Sequence, residues 1–384
     1  MKYSILQPLA GGFALGAAQA IGHKPEFILS DPAFSFNDNY LLKYWHNEIP
    51  YYNLNEVLEF DYDLDIVLSV PVCAGLSQLN SSKTRGADAP QNENMLFNSE
   101  YAMKKLKPKV FMFENAPALY TKIGEPVVQK LQKIASENGY VMSLYKTNTK
   151  FHGIPQNRKR TFAIFWRSEY CPLMEYENVS SNLVDYLNQI PRDASLQDTF
   201  VNENILDDVL YQYLDRKTEI KNVYAELKCT SLMNMLIRTE LMDDFIEFCE
   251  NENHEKEAKI AKHVKYKLSL DKGYWDNSLC FISGDYIGAI QGRMYGRIIH
   301  PNGDRDFSVR ELIHLMGHPH NYEVDLKNIN VIAQNVPVST AKFITSQAMK
   351  FINDELPMTT EIFIKQDNNG KNAVCVSIDN FFKV

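Results

Sequence analysis

The chain has 384 residues, 45% hydrophobic and 12% aromatic, enough to bury a sizeable core and to divide into one large and one smaller domain. Its formal net charge of −8 argues against indiscriminate coating of nucleic acid, so a polyanionic partner is met by one local face. No apolar run approaches the length that spans a bilayer, and "MKYSILQPLAGG" lacks the charged region and long apolar stretch of a secretory leader.

A cytoplasmic protein with no membrane partner is therefore expected. The six cysteines, Cys73, Cys171, Cys229, Cys249, Cys280 and Cys375, are scattered and form no Cys-x-x-Cys pair. Neither a disulfide framework nor a metal site is expected from that spacing.

Along residues 1–167, short β-rich runs alternate with longer amphipathic stretches; the runs are "YSILQ", "EFILS", "DIVLSV", "KVFMFE" and "TFAIFW". Strands separated by helical lengths predict an α/β fold, a parallel sheet with helices on both faces and its ligands at the carboxyl ends of the strands. Chemistry is then sought just beyond each strand. After the first come Ala10, Gly11, Gly12 and Phe13, opening an alanine-rich helix; the glycines either let a ligand approach the helix N-terminus or simply make the turn. After the second comes Asp31, an acceptor for ribose hydroxyls or a helix cap.

The third strand leads into "SVPVCAGLSQLN", with Cys73 and Ser77; a lone cysteine here is a buried small hydrophobe or an exposed nucleophile. The fourth ends on Glu114 and Asn115, and a carboxylate closing an apolar strand needs either solvent or a purpose. Before the fifth, "FHGIPQNRKR" sets Gln156, Arg158 and Arg160 at alternate positions. An extended segment turns all three to one face as a cluster of donors, whereas a loop leaves them solvated.

Between residues 168 and 283 strand text thins out and polar helical text takes over, which marks a separate domain. Its stretch 254–272 carries Lys256, Lys259, Lys262, Lys265, Lys267 and Lys272, either a phosphate-contacting face or a solvated helix. "FSVRELIHLMGHPHNY" predicts a helix from Ser308 stopped by Gly317, and its three histidines lack acidic companions at metal-ligand spacing. The tail "EIFIKQDNNGKNAVCVSID" has two alternating runs about Asn369 and Gly370, a hairpin that reads as an addition to the core.

Taken in order, "PLAGGFALG", "PVCAGLS", "FENAP", "HGIPQNRKR", "FSVRELIHLMGHPHNY" and "INVIAQNVPVSTAKFI" resemble the motifs of the cytosine-carbon-5 DNA methyltransferases, over about residues 1–352. The resemblance implies a Rossmann-like, doubly wound, mostly parallel sheet of the S-adenosylmethionine-dependent type. It divides the chain into a catalytic domain (1–167), a smaller target-recognition domain (168–295), a return to the catalytic domain (296–352) and a C-terminal hairpin extension (353–384). It implies S-adenosylmethionine as cofactor, held by Ala10, Gly11, Gly12, Phe13, Asp31, Asn335 and Val336. It implies double-stranded DNA as partner, no metal, no required oligomer and a restriction-modification setting. The catalytic set is Cys73, Glu114, Arg158 and Arg160, with Ser77, Asn115 and Gln156 contacting a cytosine flipped out of the duplex.

The residue types suit that chemistry. Carbon 5 of cytosine is a poor nucleophile until a thiolate adds to carbon 6 and makes the ring enamine-like. A free thiol titrates near ~8.5, so Cys73 benefits from the arginine charge, while a carboxyl at nitrogen 3, Glu114, stabilises the adduct. The sequence also departs from the family pattern. Gln7 and Leu9 stand where an aromatic residue and a glycine are usual, Val72 separates Pro71 from Cys73, Ala74 replaces a glutamine, and Ala333 and Gln334 replace a glycine-asparagine pair. Three readings follow: a DNA cytosine-5 methyltransferase, a related transferase with an altered donor or an RNA substrate, and a catalytically silent DNA-binding homologue.

Overall fold

Each of the five apolar runs forms a strand in the computed structural model, which describes residues 1–31, 35–54, 63–77, 85–191, 199–200, 202, 204–227, 231–274, 278–282, 284–292, 297–303, 305–369 and 374–377. The strands are β1 (Tyr3–Leu6), β2 (Ile28–Ser30), β3 (Tyr51–Asn53), β4 (Ile66–Ser69), β5 (Val110–Asn115), β6 (Val141–Asn148), β7 (Lys159–Trp166), β8 (Phe363–Asp367) and β9 (Val374–Ser377). Among the described residues they make one nine-stranded sheet in the order β9-β8-β6-β7-β5-β4-β1-β2-β3. From β3 to β5 every pairing is parallel, as is that of β8 with β6.

The exception is the run expected as a fifth parallel strand. β7 lies antiparallel between β5 and β6, because β6, which the sequence reading did not identify, precedes it and returns through a short connection. As a result the beginning of β7 meets the ends of β5 and β6 at one edge: Asn115 lies opposite Thr161, and Thr147 opposite Arg160.

The helices α1 (Gly12–Ile21), α2 (Ser35–Tyr44), α3 (Asn92–Tyr101), α4 (Glu125–Glu137) and α5 (Val338–Ile352) flank the sheet. Side chains alternate across a strand, which sorts the core into two layers. Phe111, Phe113 and Phe165 pack with Met95 of α3 and Val127, Val128 and Leu131 of α4. On the opposite face Phe162 meets Phe13 of α1 (ring centroids 5.9 Å apart), and Trp166 meets Phe351 of α5 (4.9 Å). By the same alternation Glu114 and Arg160 belong to this second face.

The tail is not an addition to a finished core. β8 extends the central sheet beside β6, and β9 pairs with it antiparallel; the turn at Gly370 lies outside the described residues. Gln366 is buried, its amide donating to Met174 O (2.9 Å) and accepting from Met174 N (3.0 Å). Lys365 Nζ, also buried, donates to Tyr120 O at 3.3 Å.

The chain forms two compact units, Met1–Ser181 with Ile313–Val384, and Asn182–Leu312. The second begins later than the change of texture at residue 168, since the intervening segment is tied to the first unit by Cys171 N to Glu361 O and Val179 N to Phe151 O, both 2.8 Å. The second unit closes its own core around Leu214, Leu236, Phe245, Cys249, Ala261 and Val264. Lysines of its helix Glu255–Ser269 are engaged by neighbouring acids, Lys262 by Glu250 and Lys265 by Asp243. That helix surface is knit together by ion pairs rather than offered as an unbroken row of cations. No helix among the described residues is long and apolar enough to cross a membrane.

α1 and α5 approach closely because Gly16 has no side chain. A Cβ there falls 2.4 Å from Ala341 Cβ and 2.5 Å from Val338 O. Alanine gains about 1 kcal/mol in helix propensity, but overpacking against fixed backbone costs about 1–3 kcal/mol. Gly16→Ala should therefore lower the urea midpoint; an unchanged or higher midpoint would show that the two helices separate at no cost.

Candidate functional site

Beyond β4 the chain runs through Val70, Pro71 and Val72 into a turn closed by Leu76 N to Cys73 O (3.2 Å) and Ser77 N to Ala74 O (3.3 Å). α3 holds this segment with two asparagines. Asn94 Oδ1 accepts from Val72 N at 3.1 Å, and Asn92 Nδ2 donates to Gly86 O and Ala87 O, each at 2.9 Å. Gly86 N closes back on Gly75 O at 2.9 Å. Residue 75 sits close against α3 and its approach, where a Cβ would lie 2.4 Å from Asn92 Oδ1 and 3.0 Å from Ala89 Cβ, so a side chain there would displace the Asn92 amide. Cys73 is half-buried against the apolar core, and residues 78–84 lie outside the described residues.

At the edge made by β5 and β7, Glu114 is 3% exposed and its Oε1 lies 2.6 Å from Arg160 Nε. The carboxylate that the sequence left needing solvent or a purpose has a guanidinium partner. Both ions act on Cys73. Burial raises the thiol above its ordinary range and the Glu114 charge adds to this, while Arg160 and Arg158 pull the other way. The arginines are thus in electrostatic reach, as expected, but the resting thiol is held protonated.

Of the other residues singled out, Arg158 and Gln156 are buried rather than solvated. Arg158 Nη2 donates to Ala333 O and Asn335 O, both at 2.8 Å, and Gln156 Nε2 donates to Leu315 O at 2.7 Å. Asn115 folds its Oδ1 back onto Ala116 N (2.8 Å) and sets its Nδ2 3.5 Å from Met95 Sδ. These three brace the walls of the site, while Arg160 faces Glu114. Ser77 ends the described part of the Cys73 turn, and Asp31 lies partly exposed just beyond β2.

The turn after β1 is saturated by side chains from distant segments. Gly12 N donates to Asn335 Oδ1 at 2.8 Å, as does Val336 N at 3.0 Å. A Cβ on Gly12 would fall 1.9 Å from Val336 O, so that position admits only glycine. Ala10 O accepts from Tyr322 OH (2.7 Å), and Phe13 is sealed beneath. It is Asn335, one residue beyond the Ala333-Gln334 pair, that meets the double glycine. Leu9 holds φ 51° and Gln7 φ 52°, a left-handed conformation that is unfavourable for side chains; Leu9 keeps a glycine-like backbone without being glycine.

Three residues that the sequence reading passed over support this turn. Asp38 of α2 accepts from Leu9 N and Tyr51 OH, both at 3.0 Å. Burial lifts its carboxyl to about 6 against the opposing effect of Ser30, Tyr51 and Leu9 N. His318 Nε2 accepts from Asn335 Nδ2 at 2.6 Å, and burial lowers its ring to about 4, so it is neutral at pH 7. Tyr322 packs against it with ring centroids 4.7 Å apart and the planes tilted by 59°. His318 had been weighed only as a metal ligand, and Asp38 follows no strand, so neither gave a signal.

A mostly parallel, doubly wound sheet with a glycine turn after its first strand and reactive residues along one edge is the fold of the S-adenosylmethionine-dependent methyltransferases. Residues 9–350 match the model of the C-5 cytosine-specific DNA methylases, and the chain belongs to that family. It is 29% identical over 111 residues to the type II methyltransferase M.NgoPII of Neisseria gonorrhoeae, covering 29% of this chain and 32% of that protein. With the orphan methyltransferase M.Rho11sI of Bacillus phage rho11s it shares 23% identity over 313 residues, 77% of this chain and 54% of the relative. The matched regions thus span about a third to about half of these relatives' lengths. Among solved structures, a prophage-encoded DNA modification methyltransferase of E. coli superposes with a TM-score of 0.55 at 17% identity, over 92% of this chain and 99% of the other. S. pombe Dnmt2 gives 0.51 at 12% identity, over 92% and 100%.

The opposed charges around Cys73 make its ionisation a readout of the site. Glu114→Gln removes a charge that raises the thiol pKa, so the pH at which iodoacetamide alkylates Cys73 at half its maximal rate should move down. Arg160→Met should move it up. Unchanged profiles in both variants would mean that these ions do not act on the thiol.

Proposed function

We propose that the protein transfers a methyl group from S-adenosylmethionine to carbon 5 of cytosine in double-stranded DNA through a covalent bond to Cys73. The observation that carries this reading is the ion pair of buried Glu114 with partly exposed Arg160 at 2.6 Å, acting on Cys73 in a chain of this family. The relatives named above are a type II methyltransferase and an orphan methyltransferase, and the type II name favours a restriction-modification setting.

Cys73 gives up its proton to water as its sulfur bonds to carbon 6 of the ring. Electron density moves toward nitrogen 3, to which Glu114, having taken up a proton as the base binds, donates that proton, while Arg160 fixes the carboxyl and faces oxygen 2. In the free protein burial, and after it the Glu114 charge, favour the thiol form, while Arg160 and Arg158 favour the thiolate that attacks. After carbon 5 has gained its methyl group, water takes the carbon-5 proton, nitrogen 3 returns its proton to Glu114, and the carbon–sulfur bond breaks to release Cys73 as the thiolate. Arg158 and Gln156 keep the strand edge registered against residues 315–335, and Asn115 and Ser77 border the base.

The chain has features that fit the cofactor. α1 opens on Gly11 with φ 79°, Asp31 stands at the end of β2, and buried polar atoms beside β1 lack partners among the described residues. Ala10, Gly11, Gly12, Phe13, Asn335 and Val336 would line this site. When bound, S-adenosylmethionine supplies an electrophilic methyl group on its sulfonium. Asn182–Leu312, with its separate core, is assigned target recognition, and the parts at residues 1–167 and 296–352 outside it are assigned catalysis.

Mixed-sequence duplex DNA carrying 5-fluorocytosine tests the reading, since fluorine cannot leave as a proton does. A denaturant-resistant complex should form with S-adenosylmethionine and be lost in Cys73→Ala. DNA binding without such a complex, or a complex that survives Cys73→Ala, would sink it. Glu114→Gln should slow methyl transfer by about 100- to 10,000-fold, measured with labelled donor.

A further inference from the structure

Three polar side chains are sealed together at the carboxyl ends of β1 and β4: Gln7, Ser69 and Asn98 are 1%, 0% and 0% exposed. Asn98 Nδ2 donates to Gln7 Oε1 at 2.8 Å and lies 3.2 Å from Ser69 Oγ. This leaves Gln7 Nε2, a donor, and Asn98 Oδ1, an acceptor, buried without a partner among the described residues. A buried polar group left unpaired destabilises a fold, so two in one cluster are an unfavourable way to join two elements. A leucine at either position would avoid the cost.

The location gives the cluster a purpose. β1 has β2 on one side and β4 on the other, and the sheet is built outward in both directions from it. In doubly wound sheets the crevice beyond the strand ends at this reversal receives the ligand. Gln7 is also the residue that stands where the family pattern has an aromatic side chain, and its φ of 52° turns the chain directly after the strand. The unpaired atoms are one neutral donor and one neutral acceptor on amides already fixed to each other. That pairing complements a neutral heterocycle with an acceptor beside a donor, as in the ring nitrogen and exocyclic amine of adenine. A carboxylate, ammonium or sulfonium calls for an opposite charge, and a ribose diol is matched by Asp31.

We propose that Gln7 and Asn98 read the adenine edge of the methyl donor by hydrogen bonds, in place of an aromatic stacking contact. The inference rests on the donor assigned above and makes Gln7 and Asn98 determinants of donor specificity. It also links donor and nucleophile through α3, which carries Asn98 at one end and the Cys73-holding Asn92 and Asn94 at the other.

Calorimetric titration of the full chain with S-adenosylhomocysteine and with 5′-methylthioadenosine, alongside thermal melting without ligand, tests this. Gln7→Leu and Asn98→Leu should each bind both nucleosides about tenfold more weakly, while the ligand-free melting temperature holds or rises because an unpaired polar group has been removed. Affinities within twofold of the original protein, or a lower melting temperature with affinity kept, would overturn the proposal and leave the donor assignment standing. Binding of neither nucleoside by the unaltered protein would overturn both. Should a variant fail to fold, the unaltered protein decides: a methylthio nucleoside with hydrogen in place of the exocyclic amine should bind about tenfold more weakly, and equal binding refutes the proposal.

Discussion

The antiparallel placement of β7 between β5 and β6 is the constraint on which the rest of the site depends. In a purely parallel sheet the amino end of that strand would lie at the edge away from Glu114. Reversed, it brings Arg160 diagonally across from Glu114, within the reach of long side chains on neighbouring strands. A carboxylate as buried as Glu114 is tolerable only with a charged partner, since removing one member of a buried pair costs about 3–5 kcal/mol. Strand direction, sealed core and reactive edge are therefore one decision, made where β6 turns back.

A fully buried cation, Arg158, extends that edge. Arginine cannot shed its proton inside a protein, so Arg158 must find acceptors, and it takes the carbonyls of Ala333 and Asn335. Charge-assisted bonds of this kind are worth about 1.5–3 kcal/mol each. The same Asn335 turns its side chain to Gly12 and His318. A chain of direct contacts thus runs from the start of β7 through residues 333–335 to the turn after β1, joining the edge that carries Glu114 to the mouth of α1. Neutral His318 suits this place, since a protonated ring could not accept from Asn335.

The sequence made the five apolar strands, the glycine turn, the Cys73 and Glu114 positions and the hairpin pattern legible, because each depends on local periodicity or on a residue type at a strand end. It did not disclose β6, whose text "VMSLYKTN" places Ser143, Lys146 and Thr147 among apolar residues and buries nearly all of them through pairing on both sides. Without β6 the direction of β7 was invisible. Arg158 and Arg160 look alike in the sequence, and their different tasks follow from which carbonyls and carboxylates lie opposite, a purely tertiary matter. Asp38 and Tyr322 are of the same kind: they support Leu9 and Ala10 from far along the chain, with no local pattern to mark them.

The two ends of the segment that follows Cys73 are tied to each other at Gly75 and Gly86, and both to the single helix α3 through Asn92. Once a loop's ends are fixed by its own base, the entropy of closing it grows only logarithmically, about 0.6 kcal/mol for each doubling of length. The position of Cys73 therefore depends little on the length of chain between the two glycines. It is set at the base, by the backbone of Gly75 and Gly86 and by the asparagines of α3, so the seat of the cysteine is a property of that helix.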